Sequence, residues 1–66
     1  MPRIVANGRE YEVSETTVAG FVRSLGLDPR VVIVERNGEA LERARYEEVE
    51  LAEGDRLEVV RAVAGG

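Results

Sequence analysis

The sequence predicts a small α+β domain in which a mixed sheet of four to five strands carries one helix on one face. Three observations predict it. The pair Asn7-Gly8 separates two β-rich runs, and it favours a hairpin because a type I′ turn needs positive φ at both positions. A single helical stripe follows in residues 18–25, and a long β-rich run occupies residues 56–63.

The helix is predicted from apolar residues at i, i+3, i+4 and i+7, namely Val18, Phe21, Val22 and Leu25. Polar residues 14–17 offer N-caps. Gly26 is suited to end the helix in the left-handed conformation. Gly20 is expected to cost up to about 1 kcal/mol relative to Ala and to let the helix approach the sheet closely; simple tolerance of Gly at this position is the alternative interpretation.

The best candidate for a central strand is the nearly continuous β-branched run at residues 31–34. A second turn pair, Asn37-Gly38, follows it. The remaining elements are predicted to be short: a strand at residues 39–41, a helical turn near Tyr46 within irregular residues 43–48, an extended piece at residues 49–51 and a turn at residues 53–55.

The order of these elements limits the topology. One helix with one apolar stripe covers one face of the sheet, and its crossover is expected to be right-handed. The natural arrangement places the last strand beside the first, parallel to it, at the centre of the sheet. This is the β-grasp, or ubiquitin-like, topology. We expect a domain over residues 1–63 and a flexible arm over residues 64–66.

Composition restricts the class of protein. The 66 residues suffice for one domain with a small core, and 44% hydrophobic with 33% charged residues is typical of a globular chain. There is no membrane-length apolar run and no signal-peptide pattern, so we expect a cytoplasmic protein. The net charge of −4 argues against nucleic-acid binding and fits docking onto a basic patch of another protein.

The residues that usually carry catalysis are nearly absent. The chain has no Cys and no His, which excludes disulfides, a zinc site of that kind, and cysteine or serine–histidine nucleophiles. All nine basic residues are Arg, so there is no Schiff-base lysine. The thirteen acidic residues are expected to be mostly solvated surface. We therefore expect no enzyme, no bound cofactor and no bound metal.

The most suggestive feature is the terminal sequence Ala64-Gly65-Gly66. Glycine has no Cβ and full backbone freedom, so a narrow channel of another protein can close around this pair. A frayed terminus is the alternative interpretation. The pattern predicts that chemistry takes place on the last backbone carboxylate, with Ala64 and Gly65 as recognition elements.

The last strand predicts a tentative partner-binding surface. Alternation places Leu57 and Val59 in the core and Val60 and Ala62 on the opposite face. Val60 and Ala62 are candidates for an exposed apolar patch, and Arg61 for a contact with an acidic partner residue. The alternatives are that Val60 is a scattered surface hydrophobe and that Arg61 is simply solvated.

Taken together, these segments resemble the ubiquitin-like sulfur carriers, and among them the ThiS family of thiamin thiazole biosynthesis. The resemblance covers essentially the whole chain and rests on the following segments, each quoted as it stands: Asn7-Gly8, Thr17-Val18-Ala19, Leu25-Gly26-Leu27, Asn37-Gly38-Glu39, Arg43 with Tyr46, residues 54–60 and Gly65-Gly66. Glu42 departs from the family, which often has Pro there. The related MoaD family tends to be longer and to carry a proline pair where residues 61–64 have none.

The resemblance implies a function for Gly66. A ThiF-like adenylyltransferase, using ATP and magnesium, would adenylate its carboxylate. A cysteine desulfurase or other persulfide donor would convert the adenylate to a thiocarboxylate, and thiazole synthase, ThiG, would receive the sulfur. The carrier is expected to be a monomer when free. Two alternatives stay open: a MoaD-like carrier for molybdopterin or tRNA thiolation, and a protein modifier conjugated through Gly66.

Overall fold

The computed structural model describes residues 1–62. It contains one α-helix, five strands and two 3₁₀ turns in the order β1 (Arg3–Ala6), β2 (Arg9–Glu12), α1 (Val18–Ser24), a turn at Pro29–Val31, β3 (Val32–Arg36), β4 (Glu39–Ala40), a turn at Arg43–Arg45 and β5 (Arg56–Arg61). The short strand predicted at residues 39–41 is therefore present as β4, the helical turn predicted near Tyr46 is present at Arg43–Arg45, and the sheet has five strands.

The strands form one mixed sheet in the order β2-β1-β5-β3-β4. The last strand, β5, lies at the centre, parallel to β1 and antiparallel to β3. Two hairpins, β1–β2 and β3–β4, complete the sheet on either side. The β-grasp topology predicted from the order of elements is confirmed.

Both hairpin turns have the predicted backbone. Asn7 and Gly8 have φ of 51° and 80°, and Asn37 and Gly38 have φ of 52° and 86°. Positive φ at both central positions is the requirement of a type I′ turn, and Asn tolerates this conformation better than most residues with a Cβ. These turns set the register of both hairpins.

The helix begins and ends as the sequence predicts. Thr17 is the N-cap, and its Oγ1 accepts a hydrogen bond of 3.1 Å from the N–H of Gly20. Gly26 follows the helix with φ of 80°. The expectation for Gly20 is wrong: a Cβ there would meet the side chains of Glu15 and Thr17 at 3.2–3.3 Å, not the sheet. Its small size accommodates the loop that enters the helix.

A single core lies between the helix and one face of the sheet. Its buried apolar residues come from every major element: Ile4, Ala6, Val13, Val18, Ala19, Phe21, Val22, Val32, Val34, Tyr46, Val49, Leu57 and Val59. Tyr11 packs edge-on against Phe21 with ring centroids 5.2 Å apart. The core thus covers one face of β5 and leaves the other face of the sheet exposed.

The expectation of a central strand at residues 31–34 needs correction. The strand starts at Val32 and lies beside β5, one position from the edge of the sheet. Its burial alternates: Val32 and Val34 are buried, whereas Ile33 is 46% exposed. A continuous run of β-branched residues shows no alternation of apolar and polar positions, so the sequence alone does not indicate which side chains are exposed.

Tyr46 completes β3 where β4 is too short to do so. The N–H of Val34 donates to Tyr46 Oη at 2.9 Å, and the Tyr46 hydroxyl donates to the carbonyl of Val32 at 3.2 Å. The hydroxyl thereby occupies the place of a neighbouring strand. It satisfies buried backbone groups that would otherwise lack a partner.

The described part of β5 ends at Arg61, two residues before the predicted end of the strand. Residues 63–66 lie outside the described residues, and with them Ala64, Gly65 and Gly66. The predicted boundary at residue 63 and the arm at residues 64–66 stay predictions.

Candidate functional site

Arg61 and Ala62, the last described residues, are held at the centre of the sheet. We call them the root of the terminal segment, which is residues 63–66. Val32 pairs with Arg61, and the N–H of Ala62 donates to the carbonyl of Val31 at 2.8 Å. Backbone hydrogen bonding therefore continues beyond the β3–β5 pair to Ala62, the last described residue. Whatever lies beyond residue 62 leaves from a fixed point at the end of the central strand.

An apolar patch lies beside this root on the open face of the sheet. Val60 and Ile33 are directly opposite each other in the β3–β5 pair and are 55% and 46% exposed. Val31, which is 43% exposed, and the partly buried Ala62 are joined by the next backbone hydrogen bond. We call these four residues the apolar patch. Exposed clusters of apolar residues on a small domain often mark interaction sites.

Two carboxylates border the patch on the same face. Glu35 and Glu58 are directly opposite each other, two residues along each strand from Ile33 and Val60. Both are exposed. They line an open depression of about 550 Å³ together with Arg56 and Val5. The open face is thus apolar near the terminal segment and charged further away.

The C-terminal half of β5 is fixed at Val59 by the side chain of Asn7. Its Nδ2 donates to the carbonyl of Val59 at 3.0 Å, and its Oδ1 accepts from the N–H of Val59 at 2.8 Å. β1 ends at Ala6, so this amide takes over the hydrogen bonding that the next residue of a strand would provide. The Asn-Gly turn therefore also positions the strand that carries the terminal segment.

The start of β5 is fixed by Asn37 and Asp55. The N–H of Asn37 donates to the carbonyl of Arg56 at 2.7 Å, and Asn37 Oδ1 accepts from the N–H of Arg56 at 2.9 Å. The carboxylate of Asp55 accepts from the N–H of Ala52 at 2.8 Å, from Arg36 Nε at 3.1 Å and from Asn37 Nδ2 at 3.2 Å. One buried acid thus joins the β3–β4 turn to the turn before β5.

Asp55 is 5% exposed, the one charged side chain buried among the described residues. Burial acts to raise the pKa of its carboxyl group. The hydrogen bonds from Ala52, Asn37 and Arg36 and the charge of Arg36 outweigh burial and hold the pKa below its usual value. The carboxylate is therefore charged at neutral pH and serves the fold.

The described residues were compared with the requirements of a metal site and of a membrane-spanning helix. Within them, no three Cys, His, Asp or Glu side chains lie close enough to hold a metal ion. No helix in this part of the chain is long and apolar enough to cross a membrane.

The structure places three of the predicted site residues. Val60 is exposed on the open face, Arg61 is exposed at the end of β5, and Ala62 is partly buried beside Val31. Ile33 and Val31 were missed by sequence reasoning. Only the β3–β5 register brings them next to Val60, and the sequence contains no signal for that register.

The topology and the fixed central strand define a ubiquitin-like β-grasp domain. Residues 3–66 match the model of the ThiS family. The chain is 39% identical over 62 residues to the sulfur carrier protein ThiS of Bacillus subtilis, covering 91% of this chain and 94% of that protein. The chain belongs to the ThiS family.

Two further comparisons extend this result. The crystal structure of a thiamine biosynthesis protein (ThiS) from Geobacter metallireducens superimposes with a TM-score of 0.79 at 28% identity, covering 97% of this chain and 99% of that one. A thiazole synthase of Paramagnetospirillum magneticum is 40% identical over 65 residues, which are 97% of this chain. The chain spans 20% of the length of that thiazole synthase.

Proposed function

We propose that this protein carries sulfur for the thiazole moiety of thiamin, as a co-substrate of enzymes and not as a catalyst. The observation that carries the proposal is the match to the ThiS family over residues 3–66, which includes the terminal diglycine. The similarity to a sulfur carrier and to a thiazole synthase supports the same pathway.

The chemistry proceeds on the carboxylate of Gly66. A terminal carboxyl group has a pKa near 3.5 and is ionised at neutral pH, so it is a poor electrophile until activated. A ThiF-like enzyme binds ATP and magnesium. A carboxylate oxygen then attacks the α-phosphorus, pyrophosphate leaves, and a mixed anhydride with AMP forms.

Sulfur replaces AMP in the next step. The terminal sulfur of a persulfide, formed by a cysteine desulfurase or another donor, attacks the carbonyl carbon and AMP leaves. A thiol then cleaves the resulting acyl disulfide and a thiocarboxylate stays on Gly66. Thiazole synthase, ThiG, accepts that sulfur. Gly65 and Gly66 place no side chain beside the carbonyl, and the enzymes supply positioning and charge stabilisation.

The domain contributes a fixed root and a docking surface. Asn7 and Asn37 hold β5 from both sides, so the terminal segment starts from a defined position. Val60 and Ala62 bind partners as part of the apolar patch, next to Arg61 at the root. Ala64 and Gly65 are the residues that a partner's channel recognises.

Intact-mass spectrometry tests the proposal. The purified protein is incubated with ATP, magnesium, the ThiF-like enzyme and a sulfur donor. We expect a mass increase equal to the difference between one sulfur and one oxygen atom, located at Gly66 by fragmentation. The variant lacking Gly65 and Gly66 is the control and should not change. An unchanged wild-type mass with an active cognate enzyme would contradict the proposal.

Deletion of the gene distinguishes this function from related ones. We expect a growth requirement that thiamin alone relieves. Loss of molybdoenzyme activity or of tRNA thiolation would instead assign the sulfur to another acceptor. Higher-mass conjugates that end in Gly66 in a native lysate would indicate a protein modifier.

A further inference from the structure

The Glu35–Glu58 pair is unfavourable for the isolated domain. The two side chains occupy directly opposed positions of antiparallel strands on the open face, where like charges destabilise a sheet. Within residues 1–62, neither carboxylate takes part in an ion pair, although the six ion pairs of this region engage five of the nine arginines. Arg56 shares the depression with them but forms no ion pair with either.

The position of this pair suggests its use. It adjoins Ile33 and Val60, so the open face presents an apolar surface with two uncompensated negative charges at its border. A protein that covers this face removes water from both features at once. Its contact surface must then supply apolar side chains for the patch and a cation for the carboxylates, because buried charges require partners.

We infer that thiazole synthase docks on this face, with apolar side chains on the patch and an arginine or lysine between Glu35 and Glu58. This inference rests on the proposed function. It is supported by the thiazole synthase of Paramagnetospirillum magneticum, in which a segment similar to 97% of this chain is part of the same polypeptide as the enzyme. The net charge of −4 favours a basic surface on the partner.

The same carboxylates oppose self-association through this face. Two copies packed patch to patch would bring four carboxylates into one interface with the two Arg56 side chains, which leaves an excess of negative charge there. Charged groups of this kind often provide specificity by penalising the wrong partner. The pair therefore selects a basic partner surface over a second copy of this chain.

The test uses the double variant Glu35→Gln and Glu58→Gln with purified thiazole synthase from the same organism, measured by isothermal titration calorimetry. Loss of the charge contacts should weaken binding by about 10- to 100-fold, as expected for a few kcal/mol of paired charge. Raising the salt concentration should weaken wild-type binding more than variant binding. The free variant should unfold at a higher temperature than wild type, because the repulsion is removed.

The matched control is Glu42→Gln with Glu50→Gln, which removes the same charge from exposed residues outside β3 and β5. It should bind like wild type. Equal binding by the Glu35/Glu58 variant would overturn the inference, and so would a loss confined to the activating enzyme or a dimer of wild type that the variant disrupts. Sulfur loading of wild type is measured in parallel, so a failure of the proposed function is recognised separately.

Discussion

Asp55 shows at the scale of a single residue how a buried charge is retained in a small core. Its three hydrogen-bond donors come from two different turns and from Arg36. Each partner alone would compensate only part of the desolvation cost. The sequence predicted a turn at this position but not that its acid would be buried, because the partner side chains lie 18 and 19 residues away.

Replacement of Asp55 by Asn should destabilise the domain by about 2 kcal/mol. The hydrogen bonds to a charged group are lost, and the NH₂ group of the new side chain faces the NH₂ group of Asn37, so that two donors meet without an acceptor. Thermal or urea unfolding measures the change. Glu39→Gln is the control: the residue is exposed on β4, and the stability should change by less than about 0.5 kcal/mol. Equal midpoints for both variants would contradict the structural role of Asp55.

The same carboxylate predicts a pH dependence. Its pKa in the folded state lies below the unfolded value of 3.8, so the folded state binds the proton less readily. The stabilisation is present above about pH 4 and is lost as the pH falls through the folded pKa. The difference in stability between wild type and Asp55→Asn should therefore shrink on acidification below about pH 4, measured by thermal midpoints. A difference that stays constant down to pH 2 would argue against this linkage.

At the scale of elements, side chains complete strands that are too short. Asn7 extends β1 beside Val59, and Tyr46 replaces a longer β4 beside Val32 and Val34. These short strands keep the domain small. They also make the hydrogen bonding of the sheet depend on particular side chains. Substitutions that remove those hydrogen bonds are therefore expected to lower the free energy of unfolding even when the apolar volume is unchanged.

Tyr46→Phe tests this directly. The ring stays in the core, but the N–H of Val34 and the carbonyl of Val32 lose their partner, which should cost about 1–3 kcal/mol. Tyr11→Phe is the matched control, because the partly buried Tyr11 contributes its ring to the contact with Phe21 and should lose less than about 0.5 kcal/mol. Denaturant unfolding compares the two, and similar losses would show that the hydroxyl of Tyr46 is not special.

Elements with a local signal were predictable, and the relations between elements were less so. The Asn-Gly turns and the helix are encoded by residues close in sequence, through positive φ, helical spacing and the caps. The place of β5 followed from the order of elements. The register that brings Ile33 opposite Val60 depends on tertiary packing, so half of the apolar patch escaped prediction. Gly66 was singled out by the sequence alone.

At the scale of the whole molecule, the described core is distinct from the residue that is proposed to react. The core residues and the five strands that the structure describes all precede Gly66, at which the proposed chemistry takes place. Stability and function should therefore respond independently to changes in the two parts.

Deletion of Gly65 and Gly66 tests this separation. The thermal midpoint should stay within about 4 °C of wild type, because all of the core residues within residues 1–62 are kept and a change of under about 0.5 kcal/mol is expected. Sulfur loading, measured by intact mass, should be abolished. Ile33→Ser with Val60→Ser is the converse variant: it keeps the diglycine and should reduce partner binding. A large fall in the midpoint of the deletion variant would show that the terminal segment supports the fold.

The central position of β5 has a consequence for synthesis. The two hairpins do not pair with each other; each pairs with β5, which is synthesised after both of them. A chain truncated before residue 56 would therefore leave Ala6 and Val34 without their neighbouring strand and should be degraded as unfolded protein. We therefore expect the domain to fold only after β5 has been synthesised.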